Sequence, residues 1–271
     1  MGHPAISAGN GAVVTGAALG IGRALAKRFV AEGMRVALLD VDVEGLHDAR
    51  AEIGGDTEAI LCDVAEIEAL EHAQSRIADA WGKPPSVLVN NEVTRIGHGI
   101  DGSLEEWHRA LDINLFGVIN GVRAFLPAMQ NAGGPGLIVN TGSKQGITNP
   151  PGHPVYNMAK AAVRTYTECL EHELRQDPDR RISAHLLVPG WTTTGRKEHK
   201  PGAWMPDQVA DHMMTALGRD SFYIICPDDE VTEAQDKARI LWGAEDITEG
   251  RPPLSRWHGD WKDAFARHQP R

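Results

Sequence analysis

The chain has 271 residues, of which 27 are basic and 37 acidic, giving a formal net charge of −10 at pH 7. A chain of this length can bury a sizeable core as one large domain, and 42% hydrophobic and 24% charged residues are ordinary for a globular protein. The acidic balance argues against general affinity for nucleic acid or for an anionic membrane surface, so we expect neither as a partner.

Cysteine usage and the amino terminus bear on the compartment. Cys62, Cys169 and Cys226 are odd in number and lack C-x-x-C spacing, which favours free, buried thiols in a reducing environment. Residues 1–10, expected to form a short extension, lack the charged-then-apolar pattern of a signal sequence, and no window of about 18 apolar residues could span a membrane. We therefore expect a cytoplasmic protein.

Short apolar runs alternate with amphipathic segments along most of the chain. The apolar runs predict buried strands at residues 12–16, 35–40, 58–64, 86–91, 136–142, 182–189 and 222–227. The amphipathic segments predict helices at about 20–32, 43–53, 66–81, 103–131, 155–176 and 206–217. Repeated βα units of this kind indicate an α/β fold of the Rossmann type, with a doubly wound, mainly seven-stranded parallel sheet and helices on both faces.

The segment from about 230 to 271 breaks this alternation, because RPPLSRWHGDW at 251–261 is interrupted by proline and rich in tryptophan. We expect a carboxy-terminal helix and a docked tail, so that residues 1–271 form one domain. The tryptophans of the tail could fill a groove on that domain, cap a cleft or enter a neighbouring subunit.

The first strand-to-helix junction, TGAALGIG, carries glycines at 16, 20 and 22. Glycine allows a tight turn and lets backbone N–H groups approach a pyrophosphate at a helix N-terminus, where the helix dipole favours an anion. A tight turn without any ligand gives the same pattern, so the glycines alone are weak evidence.

The second predicted strand ends in Asp40. A carboxylate there can accept hydrogen bonds from the ribose hydroxyls of an adenosine and would repel a 2′-phosphate. Because no arginine or lysine lies within the glycine turn or directly after Asp40, the pattern favours NAD over NADP. The alternative is that Asp40 only caps the following helix.

Tyr156 and Lys160 lie four residues apart in YNMAK, a spacing that puts both on one face of a helix. A phenol with a pKa near 10 is a poor base at neutral pH, but an adjacent ammonium and a positively charged nicotinamide favour the phenolate. Taken alone, such a pair is commonly a surface coincidence. Ser143, however, ends the upstream strand in LIVNTGS, from which its hydroxyl can reach the same part of the cleft.

Taken in order, these residues resemble the short-chain dehydrogenase/reductase family, in its compact single-domain NAD-dependent branch. The resemblance covers about 10–195 and rests on TGAALGIG, Asp40, Asp63, the asparagines at 90–91, Asn114, Ser143, Tyr156, Lys160 and the Pro-Gly at 189–190. It implies an NAD-dependent alcohol dehydrogenase or ketone reductase, in which hydride passes between the nicotinamide and a small-molecule secondary alcohol or ketone.

The resemblance also implies a division of labour among the catalytic residues. Tyr156 would exchange a proton with the substrate oxygen, and Ser143 would hydrogen-bond that oxygen. Lys160 would hold the nicotinamide ribose and lower the pKa of the tyrosine. Asn114 would kink its helix and anchor a water in a proton relay. The residues alone leave plainer roles open for two of them: a solvent-facing helix position for Asn114 and a strand-end cap for Ser143.

Cofactor contacts are implied by the same resemblance. Asp63 would bond the adenine amino group with Val64 beside the base, while Thr192 and Thr194 would grip the carboxamide and the diphosphate. The implied cofactor-binding residues are Gly16, Leu19, Gly20, Ile21, Gly22, Asp40, Val41, Asp63, Val64, Asn90, Tyr156, Lys160, Pro189, Gly190, Thr192 and Thr194. No metal is expected, because Glu168, Cys169 and His172 share a helix but no second cluster completes a four-ligand site.

The sequence departs from the family pattern on the substrate side. Lys144 and Gln145 replace small residues after Ser143, and FYIICPDDEVTEAQD replaces the glycine-containing segment after the last strand. The loop at about 191–206 takes the place of a substrate lid. The residues nominated to line the substrate pocket are Val93, Lys144, Gln145, His153, Trp191 and Trp204.

A further departure is Glu92-Val93, where the family usually has Ala-Gly after the two asparagines. An unpaired carboxylate beside a diphosphate would weaken cofactor binding and would be costly to bury. We therefore expect Glu92 to point away from the phosphates or to pair with a cation such as Arg95. Val93 is expected to narrow the nicotinamide half of the cleft or the substrate pocket.

Two other functions are open. One is a dinucleotide-sensing protein without turnover, which would have no need of a proton donor. The other is a redox-neutral reaction, catalysed by a dehydratase, epimerase or dehalogenase that uses the same tyrosine. The family's tendency toward homotetramers or dimers also implies a homo-oligomer built on the helices at about 103–131 and 155–176.

Overall fold

The computed structural model describes residues 2–194 and 198–268. Within them, the strands are β1 Gly11–Thr15, β2 Arg35–Asp40, β3 Thr57–Leu61, β4 Val87–Asn90, β5 Gly136–Thr141, β6 Ile182–Val188 and β7 Tyr223–Ile225. They form one parallel sheet in the order β3-β2-β1-β4-β5-β6-β7. The predicted doubly wound, seven-stranded sheet is thereby confirmed.

The described helices are α1 Gly20–Ala31, α2 Val43–Ile53, α3 Ile67–Trp81, α4 Leu104–Leu111, α5 Gly117–Ala132, α6 Gln145–Thr148, α7 Pro154–Leu174, α8 Pro206–Leu217, α9 Glu233–Thr248 and α10 Lys262–Arg267. Helices α1, α2 and α8 share a buried apolar cluster on one face of the sheet, and α3, α5 and α7 share another on the opposite face. Alternation along β1 supplies both clusters, since Val14 belongs to the first and Val13 to the second. Both faces of the sheet are therefore covered.

Most of the predicted strands run past the ends that the structure shows, and for two of them the hydrogen bonds give the reason. The strand predicted at 58–64 ends at Leu61, because the carboxylate of Asp63 accepts the N–H of Ala65 in a local turn at 3.0 Å. The strand predicted at 86–91 ends at Asn90, and the next N–H bonds the Thr15 hydroxyl at 2.9 Å instead of continuing the ladder. Both changes occur at the carboxyl edge of the sheet.

The long helix predicted over 103–131 is divided by a π-helical turn at Asp112–Phe116. This turn contains Asn114, the residue expected to kink the helix. π-Turns inside α-helices are uncommon and are frequently found at functional sites.

The tail packs on α9. The Trp242 side chain is buried and donates from Nε1 to the Ser255 hydroxyl at 2.7 Å, while the Arg251 guanidinium lies 3.9 Å from its ring centroid. Trp261 and Phe265 approach the same ring edge-on. The tail is thus anchored to its own helix.

Candidate active site

A cleft of about 390 Å³ opens at the carboxyl edge of the sheet, where β1 and β4 are neighbours. In a doubly wound sheet this is the point at which the strand order reverses and ligands bind. The wall of the cleft consists of Gly16, Ala18, Leu19, Gly20, Ile21, Asp40, Asp42, Asn91, Glu92, Val93, Arg95, Thr141, Gly142, Ser143, Tyr156, Lys160, Pro189, Gly190, Trp191, Thr192 and Thr194. A cavity of about 430 Å³ between α8, β7 and α9 contains none of the predicted site residues.

The glycine turn has the geometry that an anion requires. Gly16 and Gly20 have φ values of +62° and +57°, a region that favours glycine. A Cβ on Gly22 would meet the carbonyl oxygen of Gly16. No side chain caps α1 at Leu19, and its first turn holds no acidic residue. The first N–H groups of α1 therefore remain available, and a diphosphate fits this end of the cleft.

Asp40 is buried beside the turn, where its two oxygens accept N–H groups of Ala18 and Asp42, each at 2.9 Å. A carboxylate has about four acceptor positions, so both oxygens can still accept ribose hydroxyls. Arg23 of α1 donates to the carbonyl oxygen of Ala18 and pairs with Glu52 at 2.9 Å. Asp40 fits an adenosine ribose, and Arg23 is already engaged elsewhere.

Several predicted cofactor residues lie outside the cleft wall. Asp63 pairs with Arg109 at 2.7 Å; burial opposes ionisation, but the Arg109 and Ala65 hydrogen bonds outweigh it and lower the pKa of Asp63. Val64 lies so near Gly117 that it excludes a Cβ there, while Val41 is exposed directly after the end of β2. The predicted cofactor residues outside the wall are Gly22, Val41, Asp63, Val64 and Asn90.

The asparagines after β4 tie the strand ends together. Asn90 donates to Asn140 of β5 at 2.9 Å, and Asn140 donates in turn to the Thr167 hydroxyl of α7 at 3.1 Å. The Asn91 side chain accepts from Thr141 at 3.4 Å. This buried network fixes β4 and β5 against α7, which carries the predicted tyrosine and lysine.

Ser143, Tyr156 and Lys160 converge on one side of the cleft. The Lys160 ammonium is 6.0 Å from the Tyr156 ring centroid and donates to the Thr141 carbonyl oxygen at 2.9 Å. Burial lowers the pKa of Lys160 to about 8, with Glu92 opposing the shift, so the group remains an ammonium at neutral pH. The Ser143 hydroxyl oxygen accepts an N–H at 3.2 Å and keeps its own hydrogen to donate.

Asn114 is fully buried, and its side chain is hydrogen-bonded to the loop after β4. Its amide nitrogen donates to the carbonyl oxygens of Thr94 and Ala110, each at 2.9 Å, and its amide oxygen accepts the Thr94 N–H at 3.2 Å. Three hydrogen bonds thus occupy the side chain. It is not solvent-facing, the plainer role that the sequence left open.

Lys144, nominated for the substrate pocket, does not belong to the described wall of the cleft. Its ammonium lies 2.6 Å from Asp236 and 3.3 Å from Asp228, with 16% of its side chain exposed. Asp228 also accepts the Trp191 N–H at 3.0 Å, and a Cβ on Gly190 would lie 2.6 Å from the same carboxylate. These contacts therefore join α9 and the segment before it to two loops of the cleft.

Three more nominated residues lie outside the cleft wall. Gln145 begins α6, and its amide oxygen is buried. His153 caps α7 and lies 2.9 Å from His98, Nδ1 to Nδ1. Trp204 donates from Nε1 to Asp229 at 3.1 Å. Val93 and Trp191 do line the cleft and are 48% and 42% exposed.

The loop expected to act as a lid is held at its base. Trp204 donates its N–H to the Trp191 carbonyl and accepts the Thr193 N–H, both at 2.8 Å. Residues 195–197 of this loop lie outside the described residues. The backbone pairing therefore joins Trp204 to the part of the loop that lines the cleft.

Glu92 lines the cleft, and of the two arrangements expected for it, pairing with Arg95 is not seen among the described residues. Its carboxylate accepts the N–H of Val93 at 3.1 Å, and no ion pair joins it to Arg95 in the part of the chain that the structure describes. Burial, reinforced by Asp40, raises the pKa of Glu92 to about 7, while the Val93 N–H and Lys160 oppose the shift. Glu92 can therefore exchange its proton near neutral pH.

Arg95 instead lies over Tyr156, with its guanidinium carbon 4.6 Å from the ring centroid. The sequence marked Arg95 only as a partner for Glu92, and no motif assigned it to the cleft. Asp42, Thr141 and Gly142 also line the wall without having been nominated, although each lies within two residues of a predicted site residue. Proximity to a strand end was the available signal for those three.

The described residues contain no group of three or more His, Cys, Asp or Glu side chains that could hold a metal ion. No helix in the described ranges is both long and apolar enough to cross a membrane.

A family model described as short chain dehydrogenase matches residues 10–202. The chain therefore belongs to the short-chain dehydrogenase/reductase family of oxidoreductases, whose fold binds nicotinamide cofactors. It is 32% identical over 264 residues to a 3-alpha-(or 20-beta)-hydroxysteroid dehydrogenase of Mycobacterium bovis, a match that covers 97% of this chain and 96% of that relative. An oxidoreductase of Mycobacterium tuberculosis is 40% identical over 171 residues, and there the chain spans 61% of the relative's length and 61% of its own.

Solved structures agree with this assignment. A short-chain dehydrogenase/reductase from Burkholderia phymatum, in complex with NAD, matches with a TM-score of 0.82 at 29% identity, covering 91% of this chain and 96% of that one. A metagenomic short-chain oxidoreductase in complex with NADP matches with a TM-score of 0.69 at 29% identity, covering 82% and 98%.

Proposed function

We propose that the protein is an NAD-dependent dehydrogenase that interconverts a secondary alcohol and a ketone. The observation that carries the proposal is the convergence of Ser143, Tyr156 and Lys160 on a cleft whose opposite side holds the glycine turn and Asp40. An uncapped helix N-terminus for phosphate and a phenol beside an ammonium are the two parts that such an oxidoreductase needs.

Tyr156 exchanges the proton. Tyr156 is only 6% exposed, and the Lys160 ammonium lies 6.0 Å from its ring centroid. Ser143 donates its free hydrogen to the substrate oxygen, which positions that oxygen and stabilises the charge that develops on it. When bound, the nicotinamide would supply or accept the hydride.

The cofactor would be held by groups on both sides of the cleft. The first N–H groups of α1 would bind the diphosphate, and Asp40 would accept the adenosine ribose hydroxyls. The Lys160 ammonium has three donors, of which the Thr141 carbonyl accepts one, so two remain for the nicotinamide ribose. Thr192 and Thr194 would contact the carboxamide end.

The preference for NAD over NADP rests on charge. Asp40, Asp42 and Glu92 place three carboxyl groups in the wall, and Arg23 is engaged with Glu52. A 2′-phosphate near Asp40 would meet these like charges.

The experiment is a turnover assay with NAD and NADP on a panel of secondary alcohols and ketones. We expect kcat/KM to be at least about tenfold higher with NAD, and Asp40→Ser to narrow that ratio by removing the like charge. Equal use of NADP by the unaltered protein would contradict the cofactor assignment. NADH binding without turnover of any substrate would favour the sensing protein, and turnover without net change in NADH would favour the redox-neutral reaction.

A reducing cytoplasmic setting and a homo-oligomer complete the proposal. Cys62 and Cys226 are buried thiols, and burial raises their pKa values to about 11 and about 12, which keeps them unreactive. Cys169 is a free thiol but is exposed, so the expectation of burial was wrong for this residue. Leu104, Phe116 and Met158 expose apolar surface on the helices expected to form the subunit interface. Light scattering should give a dimer or a tetramer; a monomer at all concentrations would contradict it.

A further inference from the structure

The cleft contains a cation, Arg95, that has no role in the proposed proton and hydride transfer. Among the described residues of its wall, two are basic, Lys160 and Arg95. Lys160 is buried and hydrogen-bonded to the Thr141 carbonyl, whereas the Arg95 guanidinium makes no ion pair or hydrogen bond within residues 2–194 and 198–268 and lies over Tyr156. Arg95 is therefore a cation placed beside the proton donor.

The stacked arrangement leaves the donors of Arg95 available. A guanidinium over an aromatic ring is held by the attraction of its cation to the face of the ring, while its five N–H groups point outward in the guanidinium plane. That planar fork matches a carboxylate, to which it can donate two parallel hydrogen bonds. Tyr156 thus supports Arg95 without using the groups that bind an acid.

The groups that surround Arg95 near the start of α7 include the side chains of His98 and His153, which carry no negative charge. The positive charge of Arg95 lowers the pKa of His153, after the larger effects of burial and of His98. The two histidines lie Nδ1 to Nδ1 at 2.9 Å, so one must accept and be neutral. Glu92 is the acidic wall residue nearest in sequence, and its carboxylate is hydrogen-bonded to the Val93 N–H and does not pair with Arg95.

The position of Arg95 favours an anion on the substrate over the cofactor diphosphate. The diphosphate site is the N-terminus of α1, between Leu19 and Gly22, whereas Arg95 contacts the ring that exchanges the proton. Val93 and Trp191, both in the wall and both partly exposed, offer apolar surface for the body of the same molecule.

We propose that the substrate carries a carboxylate group and an apolar body, and that Arg95 binds the carboxylate and so determines specificity. The inference rests on the proposed function, since it names the class of alcohol or ketone that the site takes: a hydroxy acid and the corresponding keto acid. Binding of the acid would draw the guanidinium from the Tyr156 ring toward the substrate and orient the carbonyl between Tyr156 and Ser143.

Kinetics on matched pairs test the substrate class. Oxo acids such as 4-oxopentanoate and 3-oxocyclohexanecarboxylate are compared with their methyl esters, in the presence of NADH. We expect the acid to have a higher kcat/KM than its ester by roughly ten- to a hundredfold, the range of a charge-assisted hydrogen bond. Arg95→Gln should reduce kcat/KM for the acid at least about tenfold more than for the ester, mainly through KM, and Arg95→Lys should restore part of that loss. Arg50→Gln, at an exposed position of α2, is the matched control.

A binding measurement separates this inference from the proposed function. Cyclohexanecarboxylate and cyclohexanecarboxamide, which have no ketone, are titrated against the NADH complex and followed by calorimetry. Tighter binding of the carboxylate that Arg95→Gln abolishes would support the inference even if no ketone were reduced. Equal binding of acid and amide, or equal turnover of acids and esters, would overturn it while leaving the dehydrogenase intact. If Arg95→Gln instead weakened NADH binding, Arg95 would belong to the cofactor site and the inference would fail.

Discussion

The two sides of the cleft are built differently. On the phosphate side, the turn from Gly16 to Gly22 works through backbone N–H groups and through close main-chain contacts at its glycines. On the substrate side, the loop after β4 carries Arg95 and the position after Ser143 carries Lys144, and their long side chains reach Tyr156 and Asp236. The phosphate side is therefore fixed by local geometry, whereas the substrate side depends on contacts that come from elsewhere in the fold.

The largest effect is expected where the substrate side depends on the carboxy-terminal segment. Lys144→Met would leave Asp228 and Asp236 buried without their cation. Breaking such a pair costs about 3 kcal/mol, the lower end of the usual range, because Lys144 is partly exposed. Urea denaturation measures the change in the free energy of unfolding.

Two further variants serve as controls for the Lys144→Met measurement. Lys27→Met, at an exposed position of α1, should change the free energy of unfolding little. Adding Asp236→Asn to Lys144→Met should recover part of the loss, since one uncompensated charge is removed. A change below about 0.5 kcal/mol in Lys144→Met would show that the substrate side does not depend on this ion-pair cluster.

A single methyl group added to the glycine turn should weaken NADH binding on the phosphate side. Gly22→Ala places a Cβ against the Gly16 carbonyl and 2.8 Å from the Asn91 amide, so α1 must shift away from the turn. Overpacking of this kind costs about 1–3 kcal/mol, and we expect NADH affinity to fall by about tenfold or more. Gly134→Ala is the control, because a Cβ there meets nothing within 4 Å. Unchanged NADH affinity in Gly22→Ala would contradict the claim that close main-chain contacts fix the phosphate side of the cleft.

Glu92 lies where the two sides meet and should give a smaller, pH-dependent effect. Its folded-state pKa of about 7 lies above the ordinary value of 4.5, so between these values the folded protein keeps a proton that the unfolded chain loses. Stability contributed by Glu92 is therefore present below about pH 4.5, falls as pH rises to about 7, and changes no further above that.

Glu92→Gln tests the expected direction of this pH dependence of stability. We expect the variant to gain about 1–2 kcal/mol over the unaltered protein between pH 5 and pH 8, a value reduced for the partial exposure of the carboxyl group. NADH affinity should fall with pH in the unaltered protein and stay nearly flat in the variant. Glu71→Gln, on the exposed face of α3, controls for net charge. If the free energies of unfolding of Glu92→Gln and the unaltered protein changed with pH in parallel, the raised pKa of Glu92 would be refuted.

The same contrast decides how much could be predicted from the sequence. The sheet, the glycine turn, Asp40 and the convergence of Ser143, Tyr156 and Lys160 follow from strand periodicity and helix spacing, which are local. Lys144 could not be placed, because its partners Asp228 and Asp236 are more than eighty residues away and nothing in the sequence pairs them. Arg95 was available as a cation, but stacking on Tyr156 depends on the path of the loop after β4.

Trp204 and His153 lie outside the described wall for a related reason. Both lie near the cleft in the sequence, yet backbone pairing with Trp191 turns Trp204 toward Asp229, and His153 faces His98 at the start of α7. Position in a loop is a guide to the neighbourhood of a residue. It does not determine the direction of a side chain.

The central claim is that Tyr156 exchanges the proton during hydride transfer, and Tyr156→Phe tests it most directly. The measurement is single-turnover oxidation of NADH with a reducible ketone, together with the Kd of NADH for both proteins. We expect Tyr156→Phe to bind NADH with nearly unchanged affinity and to transfer hydride roughly 10²- to 10⁴-fold more slowly, the usual contribution of a general acid. A variant that binds NADH and retains most of the hydride-transfer rate would contradict the account.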